Sequence, residues 1–255
     1  MLIDSHAHLD MPEFAEDRSE VIERALQGGL SHILTVSIDA ASSRAAVALA
    51  KAYGPIFASV ECHPHEAEGC DPDHLDQMSG LAQEKKVVAW GEIGLDFFRR
   101  RASTEAQMRL FKQQMALARD LGLPVIIHDR EAHDDILRVL KAFGKGLGQG
   151  VIHCFSGDLD LALAFIELGY DISIPGTVTY KKADQIKDVA TSVPLEHLLI
   201  ETDAPFLAPV PKRGKRNEPL FVTHTATQIA RLRNIPYEEL AAKTTENAKR
   251  LFRIP

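Results

Sequence analysis

The sequence predicts an α/β chain folded as a (β/α)₈, TIM-type barrel of parallel strands with a helical extension at the C-terminus. Three observations predict it. Short apolar runs with strand character alternate with helical segments about eight times in ~250 residues, the repeat of such a barrel. Histidines and carboxylates recur where those runs end, the face on which barrels of this kind gather chemistry. No Gly-x-Gly-x-x-Gly loop follows an early strand, which disfavours the runner-up, a doubly wound open sheet.

The chain reads in order as follows. An apolar start at residues 1–3 leads into His6 and His8. Residues 17–27 carry Val21, Ile22, Ala25 and Leu26 at helical spacing and stop at Gly28-Gly29. A strand at 32–38 precedes an Ala-rich helix at 40–53. A strand at 55–60 precedes a helix at 71–85, and a strand at 87–90 follows. Residues 103–121 form a long helix with Ser103 as N-cap and Gly122 just past its end. Then come a strand at 125–127, a helix at 134–143, a Gly-rich connection at 144–150 and a strand at 151–152. A helix at 159–168, a strand at 170–174, a helix at 182–190 and a strand at 197–200 complete the alternation. The remainder, from about residue 220, is mainly helical. No linker, low-complexity segment or repeat interrupts the pattern, so residues 1–255 are expected to form one domain.

Composition narrows the function. The 255 residues are 45% hydrophobic, enough for a large core, and no apolar run reaches membrane-spanning length. No apolar segment of export-signal type precedes Asp4, and the three cysteines, Cys62, Cys70 and Cys154, lack zinc or redox spacing. Reduced thiols and a cytoplasmic location are therefore expected. The formal charge of -7 argues against broad electrostatic binding to nucleic acid but leaves room for a local basic patch.

The strand ends carry the chemistry. Side chains at i and i+2 of a strand share a face, so His6 and His8 project together as a claw for a divalent cation. Alone, His-x-His reads equally well as hydrogen-bonded or solvent-facing histidines. Glu92, His128, His153 and Asp203 stand at other strand ends, and a purely structural reading would have to hold separately for all six. Four imidazoles and two carboxylates suit zinc, manganese or iron, or a site that tolerates magnesium. Two close cations can bind a hydroxide and clamp the oxygens of a phosphoryl centre, and Glu92, midway in the set, is the natural bridge.

Several motifs then line up in order: Asp4-Ser5-His6-Ala7-His8-Leu9-Asp10, His63-Pro64-His65, Gly91-Glu92-Ile93-Gly94-Leu95-Asp96, Val125-Ile126-Ile127-His128, His153-Cys154-Phe155-Ser156-Gly157, Ile200-Glu201-Thr202-Asp203-Ala204-Pro205-Phe206 and Arg213-Gly214-Lys215-Arg216-Asn217-Glu218-Pro219. Over nearly the whole chain this resembles the TatD family of metal-dependent deoxyribonucleases, within the amidohydrolase-like barrels. The motifs are specific jointly rather than singly. The resemblance implies one metal among His6, His8, Glu92 and Asp203, and a second among Glu92, His128 and His153. Some relatives in the wider superfamily bridge their metals with a carbamylated lysine, whose place Glu92 takes here.

The resemblance implies a two-metal phosphodiesterase acting on DNA, from single-stranded ends, with Mg²⁺, Mn²⁺ or Zn²⁺ as cofactors. Asp203 and Glu92 are the expected catalytic carboxylates, with Asp203 orienting or deprotonating the water. The alternative keeps the site and changes the substrate to an ester or amide, such as a D-aminoacyl ester on tRNA. A barrel that only binds fits least, because no ligand position is degraded. No membrane association and no obligate protein partner are expected.

Other residues carry two readings. His63 is expected to touch a substrate phosphate rather than a metal. His65 either does the same or is simply exposed in a Pro-fixed turn. Glu201 shares strand parity with Asp203; it orders the site from behind, or is a buried hydrogen-bonded carboxylate. Asp96 orients a ligand or caps a turn, and Asn217, two residues before Pro219, could start a helix. The two dense basic runs, Arg99-Arg100-Arg101 and Lys212-Arg213-Lys215-Arg216, both follow strands of the catalytic face. Clustering at one mouth of an acidic protein reads as polyanion docking, with Arg99 and Arg213 as substrate contacts.

Overall fold

A computed structural model describes residues 1–144 and 149–255. Its eight strands are β1 (Leu2–Ala7), β2 (Leu30–Thr35), β3 (Ile56–Val60), β4 (Val87–Asp96), β5 (Val125–Arg130), β6 (Gly150–Ile152), β7 (Tyr170–Ile174) and β8 (Leu198–Ile200). They pair in sequence order, every pair parallel. The ring closes beyond the end of β8, where irregular chain completes the ladder. Asp203 N–H donates to His6 O (2.9 Å), His8 N–H donates to Ala204 O (2.7 Å), and Ser5 Oγ donates to Ile200 O (2.9 Å). Part of the Gly-rich connection expected at 144–150, residues 145–148, lies outside the described residues.

Helices α1 (Arg18–Gln27), α2 (Ala40–Ala52), α3 (Pro72–Leu81), α4 (Thr104–Leu121), α5 (His133–Phe143), α6 (Leu159–Glu167), α7 (Asp184–Ser192) and α8 (Val222–Arg233) alternate with the strands, and α9 (Tyr237–Phe252) follows. The caps read for α4 are present: Ser103 Oγ accepts from Ala106 N, and Gly122 takes φ +67°. Helix α3 stops at Leu81, short of the expected 85, and α7 starts at Asp184 rather than 182. Among the described residues, no helix is long and apolar enough to cross a membrane.

Two apolar layers hold the molecule. The larger lies between strands and helices and includes Phe14, Trp90, Phe111 and Phe165. The smaller fills one end of the barrel. Ile3, Val88, Ile126, Val151 and Leu199, each the second residue of its strand, meet Ala248, Leu251 and Phe252 of α9 and Ile254 beyond it. The C-terminal extension thus plugs the end where the strands begin. Burying each such large side chain stabilises by about 1.5–3 kcal/mol. The polar residues are left to the opposite end.

Two strands break the alternation where the site needs it. The strand at 87–90 was expected to end before Glu92; β4 instead runs to Asp96, and Glu92 lies mid-strand. Gly91 and Gly94 adopt φ +145° and +144°. A Cβ on Gly91 would sit 2.5 Å from Ile126 O, and one on Gly94 still closer to His128 O. Glycine therefore lets β5 pair with an irregular β4. The register shifts between Trp90 and Ile93, which both belong to the outer layer although three residues apart. That odd step turns Glu92 to the inner side. In β1 the register shifts between Asp4 and Ala7, and outward-packed Leu2 and Ala7 are likewise an odd step apart. β1 and β5 also outrun their expected ends, so that His6, His128 and Asp129 lie within strands.

Candidate metal centre

Glu92 sits at the middle of a ring of imidazoles. Its Oε2 lies 3.3 Å from His6 Nε2 and 3.9 Å from His8 Nε2. Asp203 Oδ1 closes this side, 3.4 Å from His8 Nε2 and 3.8 Å from His6 Nε2, and the two Nε2 atoms are 3.3 Å apart. Oε1 faces the other way. It contacts His128 Nδ1 and lies 2.8 Å from His153 Nε2 and 3.6 Å from His63 Nε2. The two oxygens of one carboxylate thus serve two separate clusters. Donor atoms bound to one cation at about 2.0–2.2 Å stand roughly 3.0–3.6 Å apart, close to the spacing in the first cluster. Two imidazole nitrogens facing each other at 3.3 Å also fit a shared cation better than a mutual hydrogen bond. The chain therefore carries His, Asp and Glu groups able to hold metal ions, among them His6 with His8 and Asp203. His63 stands as close to Glu92 and His128, but its Nδ1 accepts from His65 N (3.1 Å), which leaves its proton on the Nε2 that faces them.

The surrounding chain fixes these side chains. His8 Nδ1 is 2.8 Å from Val36 O; a carbonyl only accepts, so Nδ1 carries a proton and Nε2 is the atom turned to Asp203 and Glu92. Asp203 adopts φ +57°, in a segment bracketed from two sides. Buried Asp4 accepts from Thr202 N (2.9 Å) and Thr202 Oγ1 (2.6 Å). Asn217 Nδ2 donates to Thr202 O (2.8 Å) and Phe206 O (2.6 Å). A 3₁₀ turn does start at Pro219, but Glu218 rather than Asn217 is its N-cap; the Asn217 side chain staples the loop that carries Asp203. Sequence reading missed Asp4 and Thr202 altogether, although both lie inside the motifs that carry the metal-ligand candidates.

Behind the second cluster stand two carboxylates. Glu201 Oε1 lies 3.2 Å from His153 Nδ1 and accepts from Cys154 N at 2.7 Å. Asp96 caps the turn after β4 and also reaches two imidazoles. Its Oδ1 accepts from Arg99 N (2.6 Å), while Oδ2 lies 3.3 Å from His128 Nε2 and 2.8 Å from His65 Nε2. His65 is thereby tied to Asp96 rather than simply exposed.

Burial opposes charge throughout, and the neighbours decide the outcome. Burial would raise Glu92, but His153 and His128 hold it well below the usual carboxylate range. Burial would likewise raise Asp203, and its hydrogen bond to His8 and the charge of His153 hold it low. Burial would lower His128; Glu92 and Asp96 instead raise it to about 9. His153 is raised well above the ordinary value against its burial, by Glu92 and Glu201. His6 goes down, through burial and the adjacent His153. His63, buried, falls to about 4. Glu61, which the sequence did not single out, is fully buried, and burial plus the charge of Glu92 push its carboxyl well up.

A cavity of about 560 Å³ opens over the site and is lined by His8, His63, His65, Glu92, Asp96, His128, His153 and Asp203. Arg99 and Arg101 line it too, as does Arg130, which sequence reading passed over. The second basic run is largely committed elsewhere. Arg216 pairs with Asp17 (2.7 Å), Lys212 lies over the Phe221 ring (5.2 Å), and Arg213 stacks on Tyr180 (4.4 Å) away from the cavity lining. Only the first run, then, faces the site. The second secures the loop between β8 and α8.

The family model of TatD-related DNases matches residues 3–253. The uncharacterised metal-dependent hydrolase YabD of Bacillus subtilis strain 168 is 41% identical, over the whole of both chains. The 3'-5' ssDNA/RNA exonuclease TatD of Erwinia amylovora is 35% identical over 98% of this chain and 99% of its own. The crystal structure of YjjV, a TatD homologue from Escherichia coli K12, superposes with a TM-score of 0.94 at 36% identity, over 100% of this chain and 98% of the other. The chain belongs to the TatD family of metal-dependent hydrolases.

Proposed function

We propose that the protein hydrolyses phosphodiester bonds in DNA from a single-stranded end with two divalent cations, to each of which Glu92 would offer one carboxylate oxygen. The observation that carries this reading is the division of Glu92, with Oε2 turned to His6 and His8 and Oε1 to His128 and His153. His6, His8, Glu92 and Asp203 would hold one cation, and Glu92, His128 and His153 the other. Bound there, such a pair activates water and neutralises charge on phosphoryl oxygens.

The chain's own groups do the rest. Asp203, held low and exposed to the cavity, accepts the proton of the attacking water. His63 Nδ1 accepts the His65 backbone N–H at 3.1 Å, so its proton resides on Nε2, which faces the site. An Nε2–H donates to a phosphoryl oxygen and lacks the lone pair a metal ligand needs. Arg99, Arg101 and Arg130 give the cavity a positive wall suited to a polyanion, which favours a nucleic-acid substrate over a small uncharged ester or amide. The name of the Erwinia relative supports single strands as substrates. Three free thiols, Cys62, Cys70 and Cys154, fit a reducing compartment, and we place the protein in the cytoplasm.

The test is elemental analysis of protein purified without chelator, then metal add-back on labelled single- and double-stranded DNA, RNA, esters and amides. About two equivalents of metal and cleavage of single-stranded DNA are expected. Turnover of esters or amides alone would replace the reading.

A further inference from the structure

We infer that Phe98 and Phe206 form a two-sided base-stacking clamp that selects unpaired nucleotides, an inference that rests on the phosphodiesterase reading. The large hydrophobic side chains exposed among the described residues are Met1, Phe98, Leu163, Phe206 and Val210. Two of these are aromatic, and both line the cavity over the metal centre; the other three do not. Single exposed apolar residues are ordinary, but two exposed rings at one active-site mouth are a shared feature.

Their places in the barrel are opposite. Phe98 follows β4 and Phe206 follows β8, and in a ring ordered β1 to β8 those strands face each other across the axis. The ligand cluster lies between. Both rings are braced. Phe206 N–H donates to Asp203 O (2.8 Å), its carbonyl accepts from Asn217, and its ring meets that of His8 edge-on at 6.1 Å. Phe98 rests against the Arg130 guanidinium, 5.0 Å from the ring centroid.

The two sides differ in charge. Arg130 stacks on Phe98, and Arg99 and Arg101, which follow Phe98 in the chain, also line the cavity, whereas Phe206 is followed by Leu207 and, among the described residues, no further Lys or Arg lines the wall. A strand needs phosphate contacts along its length, and a terminal nucleotide beyond the scissile phosphate needs none. The retained strand therefore runs over Phe98 and the arginines, and the base of the departing nucleotide lies on Phe206. In a duplex both faces of an internal base are already stacked, so the clamp admits single strands. Stacking on an aromatic side chain tolerates every base and changes affinity roughly five- to hundredfold per base.

The experiment measures binding without turnover. The full chain in chelator and low salt is titrated into labelled oligothymidylates by fluorescence anisotropy. One is intact, others lack the base of the terminal nucleotide at either end, and others lack a base two or three nucleotides in. Wild type should lose roughly five- to hundredfold in affinity when one terminal base is absent, and again when an inner base is absent. Phe206→Leu should lose the terminal discrimination alone, and Phe98→Leu the inner one alone. Unchanged Tm for both variants shows that the fold is kept. Equal binding of all oligonucleotides by wild type, or unaltered discrimination in both variants, overturns the clamp. Cleavage with added metal is scored separately. Base-dependent binding without cleavage under any metal would sink the phosphodiesterase reading and leave the clamp standing. Cleavage with base-indifferent binding would do the reverse.

Discussion

The half of the metal centre built on β1 and the chain after β8 holds its imidazoles differently from the half built on β5 and β6. In the first, His8 is pinned by a neutral carbonyl, Val36 O. In the second, a carboxylate backs each imidazole: Asp96 behind His128 and Glu201 behind His153. A carbonyl fixes the tautomer; a carboxylate also raises basicity. The pKa directions follow, with His6 lowered, His128 raised to about 9 and His153 raised well above its ordinary value. His8 is an intermediate case, raised by Asp203 against its burial. The first half is thus closer to cation-ready, whereas the second binds a cation only by giving up protons.

The largest effect is expected where the halves meet. Glu92→Gln removes a charged oxygen from both clusters, so metal content should fall at both positions and turnover should drop about a thousandfold or more, beyond the ten- to hundredfold that loss of an outer partner costs. Retention of one full metal equivalent would show that Glu92 serves one half only. Asp203→Asn should act differently, because a neutral oxygen still sits beside His6 and His8. Most metal should remain while turnover falls by ~10²-fold or more, the size of a lost proton acceptor. Restoration to near wild-type rate by excess metal would make Asp203 a ligand alone, and the base would be sought elsewhere, first at Glu201.

Next come the groups behind the second half. Glu201→Gln leaves the first cluster untouched and weakens the hold on His153, so metal affinity should fall ten- to hundredfold at one position only. Calorimetric titration resolving two binding steps reads this directly; equal weakening of both steps would erase the distinction between the halves. A smaller effect is expected at His63. His63→Ala should keep metal occupancy and lower turnover about tenfold, as loss of one hydrogen bond to a phosphoryl oxygen does. Loss of about one metal equivalent would instead place His63 among the ligands.

How much of this was legible depended on whether the information was local. The spacing of His6 and His8 and the recurrence of polar residues at strand ends are local, and from them the barrel and the ligand candidates could be read. The bulge that turns Glu92 inward was not legible, because Gly91 and Gly94 look the same in a turn and in a strand that another strand must approach closely. Nor was the fate of the second basic run. Arg216 meets Asp17 from the other end of the chain, and nothing near either residue announces the pair. The same applies to Asp4 with Thr202, and to Asn217 with the carbonyls it staples. Phe98 and Phe206 stand in plain sight, but exposure is a property of the folded surface, and a sequence-based expectation places phenylalanine in the core.

The last prediction uses pH to separate the halves. Before a cation binds, His128 stays protonated up to about pH 9, and His153 is raised in the same direction. A bound cation needs the lone pair, so binding at the second position releases protons, and its apparent affinity should rise with pH until pH exceeds the raised pKa values. The gain should be roughly tenfold per pH unit for each proton displaced. His6, already lowered, has no proton to release at neutral pH, so the first position should respond more weakly, through His8 alone. Metal titrations at pH 6.5 and 8.5, values on the order of two units apart and below the raised pKa, should show the second step tightening more than the first. Proton release measured in buffers of different ionisation enthalpy should be larger for that step. Equal slopes, or a steeper first step, would mean that Asp96 and Glu201 do not keep their imidazoles charged, and the contrast between the halves would then be one of geometry alone.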